Sequence, residues 1–218
     1  MRSRRSLLAA GATGALALSA GCLGVVLGNE PLEFHASRVA PTEEVLSETG
    51  YEEHESTNET YREEVDVGVT REISASYWRS IYTKAVEIQG TAQEAATFAA
   101  VSVPGMDVLG TDYNPLSELD NEELLDQLRE QIDGTYDGLR DVRHDETIEL
   151  EILGETRDVD RFLATTDLEG QEIEVAVLLA AFDHDGDLLV LLGGHPEMLP
   201  DEGVDLEVLM ESIEHPLE

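Results

Sequence analysis

Apolar and polar residues alternate along much of the chain, and a period of two predicts a protein built chiefly from strands. Residues 32–39 read as a first strand with Leu32, Phe34 and Ala36 on one face. Residues 51–69 are polar, but Val65, Val67 and Val69 alternate at their end and predict a strand that turns at Gly68 to Thr70. The longest candidate is 73–87, with Ile73, Ala75, Tyr77, Ile81 and Ala85 on one side and Trp78, Tyr82 and Val86 on the other. Gly90 turns it back into 95–103, which gives a hairpin. Four further strands are expected at 147–153, 157–166, 171–182 and 187–192. The last is apolar on both faces and therefore belongs inside a sheet.

A period near 3.6 marks the helices. Pro41 and Thr42 precede Glu43 and Glu44, a short helix start that Gly50 ends. Residues 120–132 carry Leu124, Leu125, Leu128 and Ile132 as one stripe, with Asp120 and Glu123 as a capping pair and Gly134 as the stop. A last helix at 205–213 places Leu206, Leu209, Met210 and Ile213 on one side. This order predicts an α+β domain with a central antiparallel sheet and helices packed on it. No linker, repeat or low-complexity block interrupts residues 32–218, so one globular domain is expected there.

The first 22 residues follow neither period. Arg2, Arg4 and Arg5 precede an apolar run too short for the ~20 residues of a membrane-spanning helix, and Ser19, Ala20 and Gly21 lead into Cys22. Arg4 and Arg5 followed by leucines resemble the twin-arginine export signal, and the small residues before Cys22 resemble a lipobox, with Ser19 where that motif usually has Leu. The resemblance implies that residues 1–21 are cleaved, that Cys22 is the lipid attachment site and that 22–31 form a short tether. Cys22 is the only cysteine, so an exported chain that could have used disulfides keeps one thiol at the cleavage point. The expected location is the extracytoplasmic face of the cell membrane.

Charge adds the solvent. Thirteen Lys and Arg stand against 48 Asp and Glu, for a formal net charge of −35, and Lys84 is the only lysine. In dilute buffer such an excess strains a compact state, whereas at molar salt the Debye length falls to ~3 Å. The pattern resembles the proteins of extreme halophiles. Nucleic acid is excluded as a partner, because its phosphates demand basic counter-charge that this chain lacks.

The segments Ser76-Tyr77-Trp78, Phe98-Ala99-Ala100-Val101, Asn114-Pro115-Leu116 and Leu209-Met210-Glu211-Ser212-Ile213-Glu214-His215 resemble a haloarchaeal family of uncharacterised lipoproteins, the DUF6517 type. The layout from 73 to 215 is similar to the Mog1/PsbP-type α/β/α sandwich. Neither resemblance implies a reaction.

Candidate chemistry is sparse. Asp183, Asp185 and Asp187 alternate like the start of a calcium loop, but the bidentate Glu such a loop needs is replaced by a strand, and Asp185-Gly186 suffices as a hairpin turn. The six histidines, His35, His54, His144, His184, His195 and His215, show no paired metal spacing and read as structural or solvated. Gly193-Gly194 lacks the frame of a phosphate loop and is expected to end its strand. Tyr77, Trp78 and Tyr82 read either as core or as a pocket lining. Asn58-Glu59-Thr60 fits a glycosylation acceptor at Asn58. No catalytic residue set and no cofactor site is expected.

These readings point to a non-catalytic, lipid-anchored module that binds a protein or small solute or supports the envelope. The alternative is a lipid-anchored hydrolase with dispersed carboxylates. A cleft with two or more inward-facing Asp, Glu or His side chains favours the enzyme, and exposed aromatics without them favour binding.

Overall fold

The computed structural model describes residues 31–66, 70–88, 90–108, 111–117, 119–128, 138–168 and 170–217. In chain order the elements begin β1 (Leu32–His35), β2 (Arg38–Pro41), α1 (Glu43–Thr49), β3 (Glu52–Asp66), β4 (Thr70–Ile88) and β5 (Thr91–Pro104). Next come β6 (Asp107–Val108), β7 (Thr111–Asp112), α2 (Asn121–Leu128), β8 (Arg140–Ile152), β9 (Glu155–Leu168) and β10 (Gln171–His184). The chain closes with β11 (Asp187–Pro196), α3 (Pro200–Glu211) and β12 (Ile213–Leu217).

Two antiparallel meanders, β3-β4-β5 and β8-β9-β10-β11, join where β11 pairs with β5. Parallel β1 sits on β4 at Ile73–Ser76, just beyond the stretch of β4 that β5 occupies, and makes the sheet mixed. The α+β expectation therefore holds in its coarse form: a large sheet with short helices, dominated by its strands. This arrangement does not single out the Mog1/PsbP-type sandwich.

Period-two alternation sends two apolar sets to opposite faces of the sheet. On one face Tyr82, Phe98, Leu189 and Leu191 pack against Leu206, Leu209 and Met210 of α3. On the other, Phe162, Val177, Leu179 and Val190 pack against Leu124 and Leu125 of α2. Helix α2 starts as the sequence predicts: Asp120 Oδ1 accepts from the Glu123 N–H at 2.9 Å and Glu123 Oε2 accepts from the Asp120 N–H at 3.3 Å. Ile132 and Gly134, assigned to the rest of that helix, lie outside the described residues, as does the turn at Gly68. At α1, Thr42 Oγ1 accepts from the Val45 N–H and Gly50 closes the helix with φ 77°. The only lysine ties α3 to the sheet, with Lys84 Nζ 2.7 Å from both Glu202 Oε2 and Asp205 Oδ2. Burial alone would lower the pKa of this ammonium, but its hydrogen bonds to the two carboxylates prevail and raise it.

The structure corrects three boundaries. Residues 32–39 are two strands rather than one, because the Ser37 N–H donates to the Asp187 carboxylate at 2.8 Å instead of to a neighbouring strand. The last helix starts at Pro200, and Ile213 opens β12. Gly193 and Gly194 do not end their strand: β11 runs through them to Pro196. A Cβ on Gly193 would stand 2.9 Å and 3.0 Å from the two methyl carbons of fully buried Leu206, so the glycine sets how closely α3 approaches. Gly193→Ala should cost about 1–3 kcal/mol through overpacking, read from the denaturant midpoint.

Candidate functional site

Among the described residues the helices leave part of the second face uncovered. Over β9 and β10 that face carries Phe162 and Leu179 and is closed by α2, whereas over β4 and β5 it carries Ala75 and Ala99. The small side chains leave a groove of ≈ 760 Å³ between the β3 edge and the 115–116 turn. Its floor is Ala75, Ile81, Ala99 and Val101, with Met106 at one end. Tyr61, Tyr77 and Arg79 form a polar rim on the β3 side. Tyr61 is 42% exposed. Tyr77 Oη donates to Glu59 Oε2 at 2.8 Å, and Arg79 Nη2 lies 3.5 Å from Glu55 and 3.6 Å from Glu59. Burial first, and then the bond to Glu59, push the Tyr77 hydroxyl up from its ordinary pKa, so it stays a neutral donor. Among the described residues Glu59 is the one carboxylate lining the groove, and no histidine lines it.

A separate polar cluster lies on the opposite face, where the β10-β11 hairpin meets β12. Asp187 Oδ2 accepts from the Ser37 N–H at 2.8 Å and from Ser102 Oγ at 3.2 Å, and it stands 3.1 Å from His215 Nε2. The other ring nitrogen of His215, Nδ1, stands 3.0 Å from His184 Nδ1. Ser102 is fully buried and bonds Asp187 rather than either imidazole, so the group does not form a Ser-His-Asp relay with an accessible nucleophile. His195 stands apart under α3: burial lowers its pKa and its Nδ1 lies 3.0 Å from the Pro196 carbonyl oxygen.

A family model described as "Domain of unknown function (DUF6517)" matches residues 38–214. The chain belongs to the DUF6517 family. The DUF6517 match takes in the groove and Asp187, and it stops one residue short of His215. Among solved structures, a protein of unknown function, PA94 from Pseudomonas aeruginosa, described as a putative regulator, is 12% identical over 71% of this chain and 94% of its own, with a TM-score of 0.32. LpqN, involved in cell envelope biogenesis of Mycobacterium tuberculosis, is 8% identical over 76% of this chain and 91% of its own, with a TM-score of 0.26. At those TM-scores neither likeness carries weight for this DUF6517 chain. No curated protein matches it.

The residues singled out from the sequence divide as follows. Arg4, Arg5, Cys22 and the tether lie outside the described residues. Among the described residues no helix is long and apolar enough to cross a membrane. Asp183, Asp185 and Asp187 do not come together: Asp183 and Asp187 project to opposite faces, Asp187 is buried, and Asp183 and Asp185 are exposed. Asp185 and Gly186, with φ of 49° and 90°, make the two-residue hairpin turn between β10 and β11. Among the described residues no three His, Cys, Asp or Glu side chains gather around one point. Asn58 is exposed on β3, opposite Trp78 and on the reverse face from the groove. Tyr82 is core and Tyr77 lines the groove, so the two readings of the aromatics each hold for one residue. The pairing of His184 with His215 was not legible from spacing, since 31 positions separate them.

Proposed function

We propose that this chain is a lipid-anchored, extracytoplasmic binding module adapted to high salt, which holds a small, largely apolar solute in the groove. The observation that carries the binding half is the lining itself: an apolar floor, a rim of Tyr61, Tyr77 and Arg79, and, among the described residues, Glu59 as its single carboxylate, already engaged by Tyr77. General acid–base hydrolysis wants two titratable groups facing one space, so the lining speaks for binding over the dispersed-carboxylate hydrolase. A volume of ≈ 760 Å³ falls within the ~300–1,000 Å³ typical of small-molecule sites. The anchoring half rests on Arg4, Arg5 and Cys22, and the salt adaptation on the acidic excess. Helices on both faces of the sheet are compatible with the Mog1/PsbP-type layout, which we keep as part of the proposal.

The groove is tested with Nile red, an uncharged dye whose emission shifts blue on leaving water, titrated in molar salt. Val101 lies partly buried on the groove floor, so Val101→Trp fills the space. One saturable site is expected, weakened tenfold or more by V101W with the far-UV spectrum unchanged. Non-saturable binding, or equal binding by the variant, would contradict the proposal.

A further inference from the structure

We infer that the solute held in the groove is a cationic amphiphile, an apolar tail on an alkylated ammonium head seated between Tyr61 and Tyr77, a step that rests on the binding reading above. The register of the β3 edge is where the head group is decided. Glu55, Glu59 and Glu63 stand opposite Ile81, Tyr77 and Ile73 of β4, and Tyr61 stands opposite Ala75. Cross-strand partners share a face, and Ala75, Tyr77 and Ile81 line the groove, so these four β3 side chains rise on its side of the sheet. Glu59 lines the groove itself, and Glu55 and Glu63 flank it along the strand.

The hydrogen bonds of the rim leave little for a polar, uncharged head. Tyr77 Oη donates to Glu59 Oε2 at 2.8 Å, and Tyr61 Oη donates to Glu63 Oε2. A phenol has one proton to give, so both tyrosine donors are spent. The bond to Glu63 first, and then burial, push the Tyr61 hydroxyl up from its ordinary pKa, so this ring stays neutral, as that of Tyr77 does. A phenol that donates to a carboxylate keeps an electron-rich ring. Among the described residues Arg79 is the one cation lining the groove, and its Nη2 is shared between Glu55 at 3.5 Å and Glu59 at 3.6 Å. Set against that single guanidinium, the three glutamates leave two carboxylates in excess.

These features sort the possible heads. An anionic head meets the excess carboxylates. A hydroxyl or amide head finds the tyrosine donors taken. A primary ammonium is strongly hydrated and gives up water to enter. An alkylated ammonium needs no hydrogen bond, and it is drawn both to the faces of the two rings and to the carboxylates behind them. Contact with a ring face leaves no room for intervening ions, so this attraction persists in the molar salt that screens the rest of the acidic surface. From a head between the tyrosines the tail runs over Val101 and Ala99, the β5 partners of Arg79 and Ile81.

The test is displacement of Nile red from the full chain in molar sodium chloride by probes that share one tail: octyltrimethylammonium, octanol and octanoate, each below its micelle concentration. Octyltrimethylammonium should compete roughly tenfold better than octanol, and octanoate should compete worst. Combining Glu59→Gln with Glu63→Gln should bring octyltrimethylammonium and octanol within about threefold of each other, because the rings alone then hold the cation. Combining Glu64→Gln with Glu72→Gln, an exposed pair on the reverse face of the same two strands, removes as much charge and should leave the wild-type ratio. Nile red that binds saturably but yields to octyltrimethylammonium no more readily than to octanol would overturn the inference alone, as would an unchanged ratio in the E59Q and E63Q combination. Absence of saturable Nile red binding would overturn the groove reading and this inference with it.

Discussion

Replacing Asp187 with alanine should lower the unfolding free energy by about 3–5 kcal/mol, measured by denaturant titration in molar salt. The carboxylate is the common acceptor for three donors from distant parts of the chain: the Ser37 backbone between β1 and β2, Ser102 on β5 and His215 on β12. Ser102 and His215 have almost no exposed surface, so water cannot replace the lost oxygen. Each buried donor left without an acceptor costs about 1–3 kcal/mol, which exceeds the net worth of the bond when intact. Asp183→Ala is the internal control. Asp183 is exposed and projects to the opposite face, so its loss should stay within about 0.5 kcal/mol. Equal effects at the two positions would mean that the Asp187 cluster does not hold the strand ends together.

Raising sodium chloride from about 0.2 M to 3 M should raise the melting temperature by on the order of 10–20 °C, the shift that about 5 kcal/mol gives a chain of this length. Two opposing effects decide the sign. Salt screens surface ion pairs such as Arg140 with Asp167 and Arg143 with Glu174, whose exposed partners gain little from one another in water. It also screens the mutual repulsion of 48 acidic residues opposed by only 13 cations. The repulsive pairs far outnumber the attractive ones, so their relief prevails once the Debye length contracts from ~7 Å to roughly 2 Å. Chloride is the appropriate anion, because sulfate strengthens apolar burial in any protein. A melting temperature unchanged across that range would contradict adaptation to brine.

Much of the sheet was legible in the sequence because strands buried on one face alternate and strands buried on both read as continuous apolar runs. Ile148, Leu150 and Ile152 on β8, and the doubly apolar run of β11, sit where their pattern placed them. The failures have physical causes. The strand at 32–39 divides because a carboxylate 150 positions away takes the Ser37 N–H, a tertiary bond that no local period encodes. Gly193-Gly194 reads as an end signal by propensity, but at Gly193 the requirement is room for Leu206, and packing overrides propensity. The groove was half visible: Tyr77 was singled out, yet its partnership with Ala75 and Ala99 depends on strand register, which no local period encodes. His184 and His215 each looked solitary, and only the chain's return along β12 sets them side by side.

In the proposed function a lipid anchor at Cys22 places the chain at the membrane, and the mature amino terminus tests that proposal most directly. Mass spectrometry of the chain extracted from the membrane fraction should find its first residue to be Cys22, carrying a thioether-linked lipid. A chain that retains residues 1–21, or an unmodified Cys22 in the soluble fraction, would contradict the account.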